Sequence, residues 1–235
     1  HPILYRQFDL PSQPVTARAY ICGLGLYHLE LNGQKVGDEY FTPYCNAYDQ
    51  WIQYQTFDIT AHLRGGSNLV TVMLGNGWYN MFLRCTWDFD KAPWRNAPAV
   101  IAQIRIEYAD GTSEVIGTDA TWKVCKGPIV FDCIRSGETY DARLERPNWD
   151  GSECDEREWK AAWVVDGPKG RLSAQQMPPI RVTGTIVPVK STPVKPGVTV
   201  FDMGQNFAGW ARLSVSGPAG AKVVLKYGER LNGDG

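Results

Sequence analysis

Apolar and polar residues alternate with a period of two through most of this chain, and turn signals cut the alternation into short runs. In IAQIRIEYADGTSEVIGTD, Ile104, Ile106 and Tyr108 fall on one face, while Arg105 and Glu107 fall on the other. That stretch reads as two strands around a turn at Asp110-Gly111. ARAYICGLGLYHLELNGQKVGDEYF places β-rich residues on both sides of Asn32-Gly33, a strong two-residue hairpin signal. Towards the C-terminus, Ala211, Leu213 and Val215 alternate with Arg212, Ser214 and Ser216, and Val223, Leu225 and Tyr227 resume the pattern. Helical periodicity is confined to short turns, one around Ile59 to Leu63 and one near Glu156 to Trp159. Many short strands with frequent turns predict an all-β fold, an antiparallel β-sandwich of jelly-roll type.

A boundary interrupts the pattern. The proline-rich stretch MPPIRVTGTIVPVKSTPVKPG, Met177 to Gly197, leaves little room for a central strand. The domain break is therefore expected near Gln175, with an N-terminal β-sandwich over 1–175. Residues 176–235 read as a linker and the start of a second β-sandwich, with about four strands, too few to close one alone. The chain opens HPILYRQF without Met and stops in a turn signal at Asp234-Gly235, so it is expected to be cut from something longer.

Composition removes several function classes. The 24 Lys and Arg against 25 Asp and Glu give a formal net charge of -1. Basic residues do not gather in runs, which argues against nucleic acid as the partner. The apolar runs are short and broken by Gly or Pro, which argues against a membrane span. Cys22, Cys45, Cys85, Cys125, Cys133 and Cys154 form no CxxC pair and are expected to be buried free thiols. His1, His28 and His62 lie too far apart for a zinc pattern. The nine Trp and eleven Tyr are the informative surplus, more than a core of this size needs, so some are expected to face a ligand.

Three stretches hold candidate chemistry. In LGNGWYNM, the amide of Asn76 stands beside Trp78 and Tyr79, which suits stacking on the C–H face of a sugar with an amide for its hydroxyls. The competing reading makes the rings plugs in the core. In SGETYDARLE, Glu138, Tyr140, Asp141 and Arg143 admit three readings. Asp141 and Arg143 are structural partners near a sheet edge, or the group contacts sugar hydroxyls, or Glu138 and Asp141 form a glycosidase carboxylate pair, about 5 to 9.5 Å apart. A carboxylate beside backbone carbonyls could also hold Ca²⁺, although no EF-hand-type loop is present. FDMGQNFAGW, with Gly204, Gly209 and Trp210, reads as a bend at a sheet edge. GxGxxG, P-loop, nucleophile-elbow and HExxH patterns are missing, and three scattered histidines give Ser-His-Asp chemistry little to work with.

Taken in order, ARAYICGLGLYHLELNGQKVGDEYFTP, YQTFDIT, LGNGWY, YADGTSEVIGTDATWKV, SGETYDARLE and VFDMGQNFAGWARLSVSGPAGAKVVLKYGE resemble the N-terminal region of bacterial α-L-rhamnosidases. These are inverting glycoside hydrolases that remove terminal L-rhamnose. The resemblance covers nearly the whole chain. It implies a first β-sandwich, a second β-sandwich, and then an (α/α)6 catalytic barrel that supplies the acid and base. No long amphipathic helices of that barrel occur here, so the resemblance implies a non-catalytic accessory region with no catalytic residue in this chain. Its partners would be a rhamnose-containing carbohydrate and the downstream catalytic domain. In some relatives such a module binds rhamnose with calcium assisting. By position the candidates for that face are Asn76, Trp78, Tyr79, Glu138, Tyr140, Asp141 and Arg143, and no metal ligand is assigned. The loop RCTWDFDKAPW, Arg84 to Trp94, departs from the family pattern. The competing function is a purely structural module that braces the catalytic domain. The compartment, periplasm or cytoplasm, stays open.

Overall fold

The computed structural model describes residues 1–84, 87–145 and 159–233. They divide into two compact units, His1–Arg181 and Val182–Gly235. The first unit begins with β1 (Pro2–Leu10), β2 (Thr16–Leu24), β3 (Leu26–Leu31), β4 (Gln34–Lys35), β5 (Glu39–Tyr40) and β6 (Trp51–Asp58). It continues through β7 (Gly66–Gly75), β8 (Ala99–Glu107), β9 (Ser113–Gly117), β10 (Lys123–Lys126), β11 (Ile129–Cys133) and β12 (Gly137–Tyr140). It ends with β13 (Lys160–Ala161), β14 (Arg171–Ala174) and β15 (Ile180–Arg181).

Two sheets form the layers of an antiparallel sandwich. One has the order β13-β10-β1-β7-β3-β4, and the other β14-β6-β2-β8-β9, in which only the β14-β6 pair is parallel. The alternation visible in the sequence sets which side chains face inward. Ile104 and Ile106 of β8 are buried, whereas Arg105 and Glu107 point outward and pair at 3.1 Å. Opposite them stand Leu29 and Leu31 of β3 and Val70 and Val72 of β7, so one apolar core joins the two sheets. Each such aliphatic side chain contributes about 1.5–3 kcal/mol on burial.

The turns divide in kind. Asn32 and Gly33 both take positive φ, 51° and 75°, as the expected two-residue hairpin turn requires. At Asp110-Gly111 only Gly111 does so, at 81°. Asp110 there accepts the Thr112 N–H and hydroxyl, at 2.9 and 2.6 Å, and the connection lengthens to residues 108–112. A side chain that satisfies the backbone two residues on replaces the tight turn with a longer one. A 3-10 turn forms at Thr60–His62, as expected. The second expected turn, near Glu156, lies outside the described residues apart from Trp159, which is not helical.

Cys22 and Cys133 are buried free thiols, and Cys125 is buried and in no disulfide. Cys45 is free but exposed, on the irregular connection between β5 and β6, where no strand pattern holds it inward. Cys85 and Cys154 lie outside the described residues.

In the second unit, β16 (Lys190–Lys195) and β17 (Val198–Asp202) form a hairpin. A strand therefore does form inside the proline-rich stretch. It is tolerated because Pro193 sits at a register shift in a two-stranded ladder, where its missing N–H removes no central bond. After β17, Gly204 takes φ of 75° and its N–H bonds to Asp202, giving the expected bend. The alternating stretches at 211–216 and 223–227 form no strand, in contrast to expectation. Alternation defines a face, but a strand needs a neighbouring ladder to satisfy its backbone.

Candidate functional site

The Asn76 turn is built at the end of β7 by glycines. A Cβ at Gly75 would stand 3.1 Å from the Asp132 carboxylate. Gly77 has φ of 51° and abuts Gly25 and Leu26, where a Cβ would come within 3.0 Å. The bare Gly75 lets Asp132 of β11 approach the turn. Its Oδ2 accepts the Asn76 main-chain N–H at 3.0 Å, and the Asn76 amide donates to the Asp132 carbonyl at 3.1 Å and to Oδ1.

His1 closes the same cluster. Its Nε2 lies 2.8 Å from Asp132 Oδ1, and its Nδ1 lies 3.0 Å from the Leu74 carbonyl. With acceptors at both nitrogens, the site favours the imidazolium form. The hydrogen bond to Asp132 raises its pKa most; desolvation opposes it, and the Asp132 charge, the Leu74 carbonyl and the Glu138 charge add to it. Glu138 is the cross-strand neighbour of Asp132, so the imidazolium offsets two carboxylates placed side by side.

Trp78 and Tyr79 differ in burial and in the rings they meet. Tyr79 is only 4% exposed and packs edge-on against Tyr48, with ring centroids 4.9 Å apart. Its hydroxyl pKa is raised by burial. It plugs a core of Cys22, Leu24, Tyr48 and Ile52. Trp78 is half-buried and turns toward the 87–95 loop, with Phe89 at 5.3 Å and Trp87 at 6.0 Å. Trp87 is 62% exposed. Over these rings lies Arg135, from the turn between β11 and β12, 5.0 Å from Trp87 and 5.7 Å from Trp78. A polar chain ties the loop to the turn. Asn76 Oδ1 accepts from Asn80 at 2.6 Å, and Arg95 donates to Asn80 at 3.4 Å and to the Asp90 carbonyl at 3.1 Å.

The structure thus brings Asn76 and Trp78 against the β11-β12 hairpin that carries Glu138. Tyr140, Asp141 and Arg143 stand at the other end of that hairpin, where Tyr140 pairs with Ile129 and the Asp141 N–H bonds to Pro128. Tyr140 donates to Glu145, a bond that raises its pKa. Asp141 caps the 3-10 turn Ala142–Leu144 and binds the Arg143 guanidinium at 2.8 and 2.6 Å. That bond depresses the Asp141 pKa, which fits a structural pair and not a proton donor. Among the described residues no group of three or more His, Cys, Asp or Glu is placed to hold a metal. A void of about 10 Å³ between the sheets and a groove of about 370 Å³ along Tyr5, Arg6, Gln7, Thr121 and Lys123 are lined by none of the predicted residues.

Sequence reasoning passed over His1, Trp87, Phe89, Asp132 and Arg135. Asp132 had a visible signal, a carboxylate inside the otherwise apolar IVFDC strand. The other four owe their place to the meeting of distant loops.

The first unit is an antiparallel β-sandwich module. Residues 12–184 match the α-L-rhamnosidase N-terminal domain, and residues 192–235 match the bacterial α-L-rhamnosidase concanavalin-like domain. This chain belongs to the α-L-rhamnosidase N-terminal domain family. It is 41% identical to an α-L-rhamnosidase of Streptomyces avermitilis over 99% of its own length and 22% of that protein's. An α-L-rhamnosidase of Formosa agariphila is 36% identical over 96% of this chain and 24% of that protein. The chain therefore spans about a quarter or less of these relatives. The solved structure of the Streptomyces avermitilis enzyme complexed with L-rhamnose superimposes with a TM-score of 0.79 at 38% identity, over 87% of this chain and 20% of that one. The Aspergillus terreus enzyme gives 0.79 at 32% identity, over 87% of this chain and 24% of that one.

Proposed function

We propose that this chain is a non-catalytic accessory region of an α-L-rhamnosidase that hydrolyses terminal α-L-rhamnose from glycosides. In this reading a downstream domain of the parent protein carries the catalysis. The accessory region holds a sugar on the Trp78–Trp87 platform, beside Asn76 and Glu138. The observation that carries the sugar-binding part is the exposed Trp87 ring, set against Trp78 and Phe89 at the edge of the Asn76 turn. Flat aromatic faces offer a pyranose its C–H contacts, and nearby polar side chains take its hydroxyls.

The test has two arms. Titrating L-rhamnose, with and without Ca²⁺, while following tryptophan fluorescence should give a saturable change that is lost in Trp87→Ala. A flat titration in the native chain would leave the bracing role alone. Incubating the chain with an aryl α-L-rhamnoside should release no product. Turnover would place a catalytic centre within these residues and overturn the non-catalytic reading.

A further inference from the structure

We infer that Arg135 makes the Trp78–Trp87 platform selective for a sugar that carries a carboxylate, a uronic acid unit. The inference rests on the reading of that platform as a sugar site. Arg135 lies over two indoles, which hold its charge by cation–π attraction. Among the described residues no carboxylate pairs with it and no acceptor takes its N–H groups. Arg6, Arg105, Arg143 and Arg181 of this unit pair with acids, and Arg64 and Arg95 donate to carbonyl or amide oxygens, so their donors are taken where those of Arg135 are not. Guanidinium donors lie in its plane as a fork, and with no acceptor among the described residues that fork is available to the two oxygens of a carboxylate.

The acids on the same hairpin do not cancel this preference equally. Asp132 is occupied by His1 and by Asn76. Glu138 is exposed and lies on the strand that follows Arg135, so its charge opposes an acidic ligand. A pyranose seated on the Trp87 face, with its carboxylate toward Arg135, would meet an aromatic plane and a bidentate donor together. A neutral pyranose would meet only the first.

The probes are methyl glucuronide and methyl glucoside, which differ only by carboxylate against hydroxymethyl, together with L-rhamnose, each titrated into the chain by tryptophan fluorescence. The glucuronide is expected to bind roughly tenfold tighter than the glucoside, the scale of a bidentate charge-assisted contact. Arg135→Gln should bring the ratio close to one while the glucoside affinity holds. Arg135→Lys should fall between, because an ammonium keeps charge and loses the fork. Trp87→Ala should weaken both glycosides, and Glu138→Gln should raise the ratio of glucuronide to glucoside affinity. Equal binding of the two glycosides by the native chain would overturn the acidic preference and leave the platform intact. A glucuronide preference that survives Arg135→Gln would overturn the assignment to this residue. No response to any of the three sugars would sink the platform reading and the selectivity with it.

Discussion

The Asp132 carboxylate accepts the main-chain N–H of Asn76 at 3.0 Å, across 56 residues of sequence, and so pins the Asn76 turn to the β11-β12 hairpin. The same carboxylate takes the His1 ring at 2.8 Å. Asp132→Ala therefore leaves a largely buried imidazolium and an N–H without their partner. The expected loss is about 2–4 kcal/mol, measured by urea unfolding, with Asp132→Asn losing less because an amide oxygen still accepts. An unchanged midpoint in Asp132→Ala would show that the turn holds without this contact.

The His1 contact also sets a pH dependence. Its pKa is raised above the ordinary 6.5 by the hydrogen bond to Asp132, so the folded state binds its proton more tightly than the unfolded chain does. The stabilisation is present in full below the unfolded pKa, and it fades as pH rises through the raised folded value. The urea midpoint should thus fall on going from roughly pH 6 to about 9, and His1→Gln should remove the part due to the ring. Parallel pH curves for the two proteins would contradict the imidazolium assignment.

Tyr79 and Trp87 should respond in opposite ways to truncation. Tyr79→Ala opens a hole beside Tyr48, with an expected cost of about 3–5 kcal/mol. Trp87→Ala removes an exposed ring and should move stability by only about 0.5 kcal/mol. Sugar titrations should rank the two positions the other way round. A chain destabilised equally by both substitutions would mean that Trp87 is part of the core.

The layered β architecture was legible because a two-residue period states which side chains face inward. Ile104 and Ile106 went in, and Arg105 and Glu107 went out. The ring pair Trp78-Tyr79 was legible as a choice between plug and platform, and burial of Tyr79 by Tyr48 decides which ring is the plug. What period and motif do not encode is where loops meet. Arg135 reaches Trp78 only because β11 and β12 form a hairpin of their own beside the β7 turn, and Trp87 comes from a separate loop that neither period nor motif places. Likewise, alternation at 211–216 and 223–227 states a face without supplying the ladder a strand needs.

Gly75 offers the finest probe of the Asp132 contact. A methyl at this position would stand 3.1 Å from Asp132 Oδ2 and 3.5 Å from the Leu26 Cβ, with nothing else closer than the carboxyl carbon. Gly75→Ala therefore presses mainly on the carboxylate that holds Asn76, and the side chain must retreat by a few tenths of an ångström. The expected cost is about 1 kcal/mol, since a hydrogen bond to a charged group is weakened and not lost. Combining it with Asp132→Ala separates the two effects, because removing the carboxylate removes the obstacle. The double variant should then cost less than the sum of the singles, and urea unfolding of all four proteins measures the coupling. Strict additivity would mean that Gly75 is needed for the strand end itself and not for the approach of Asp132.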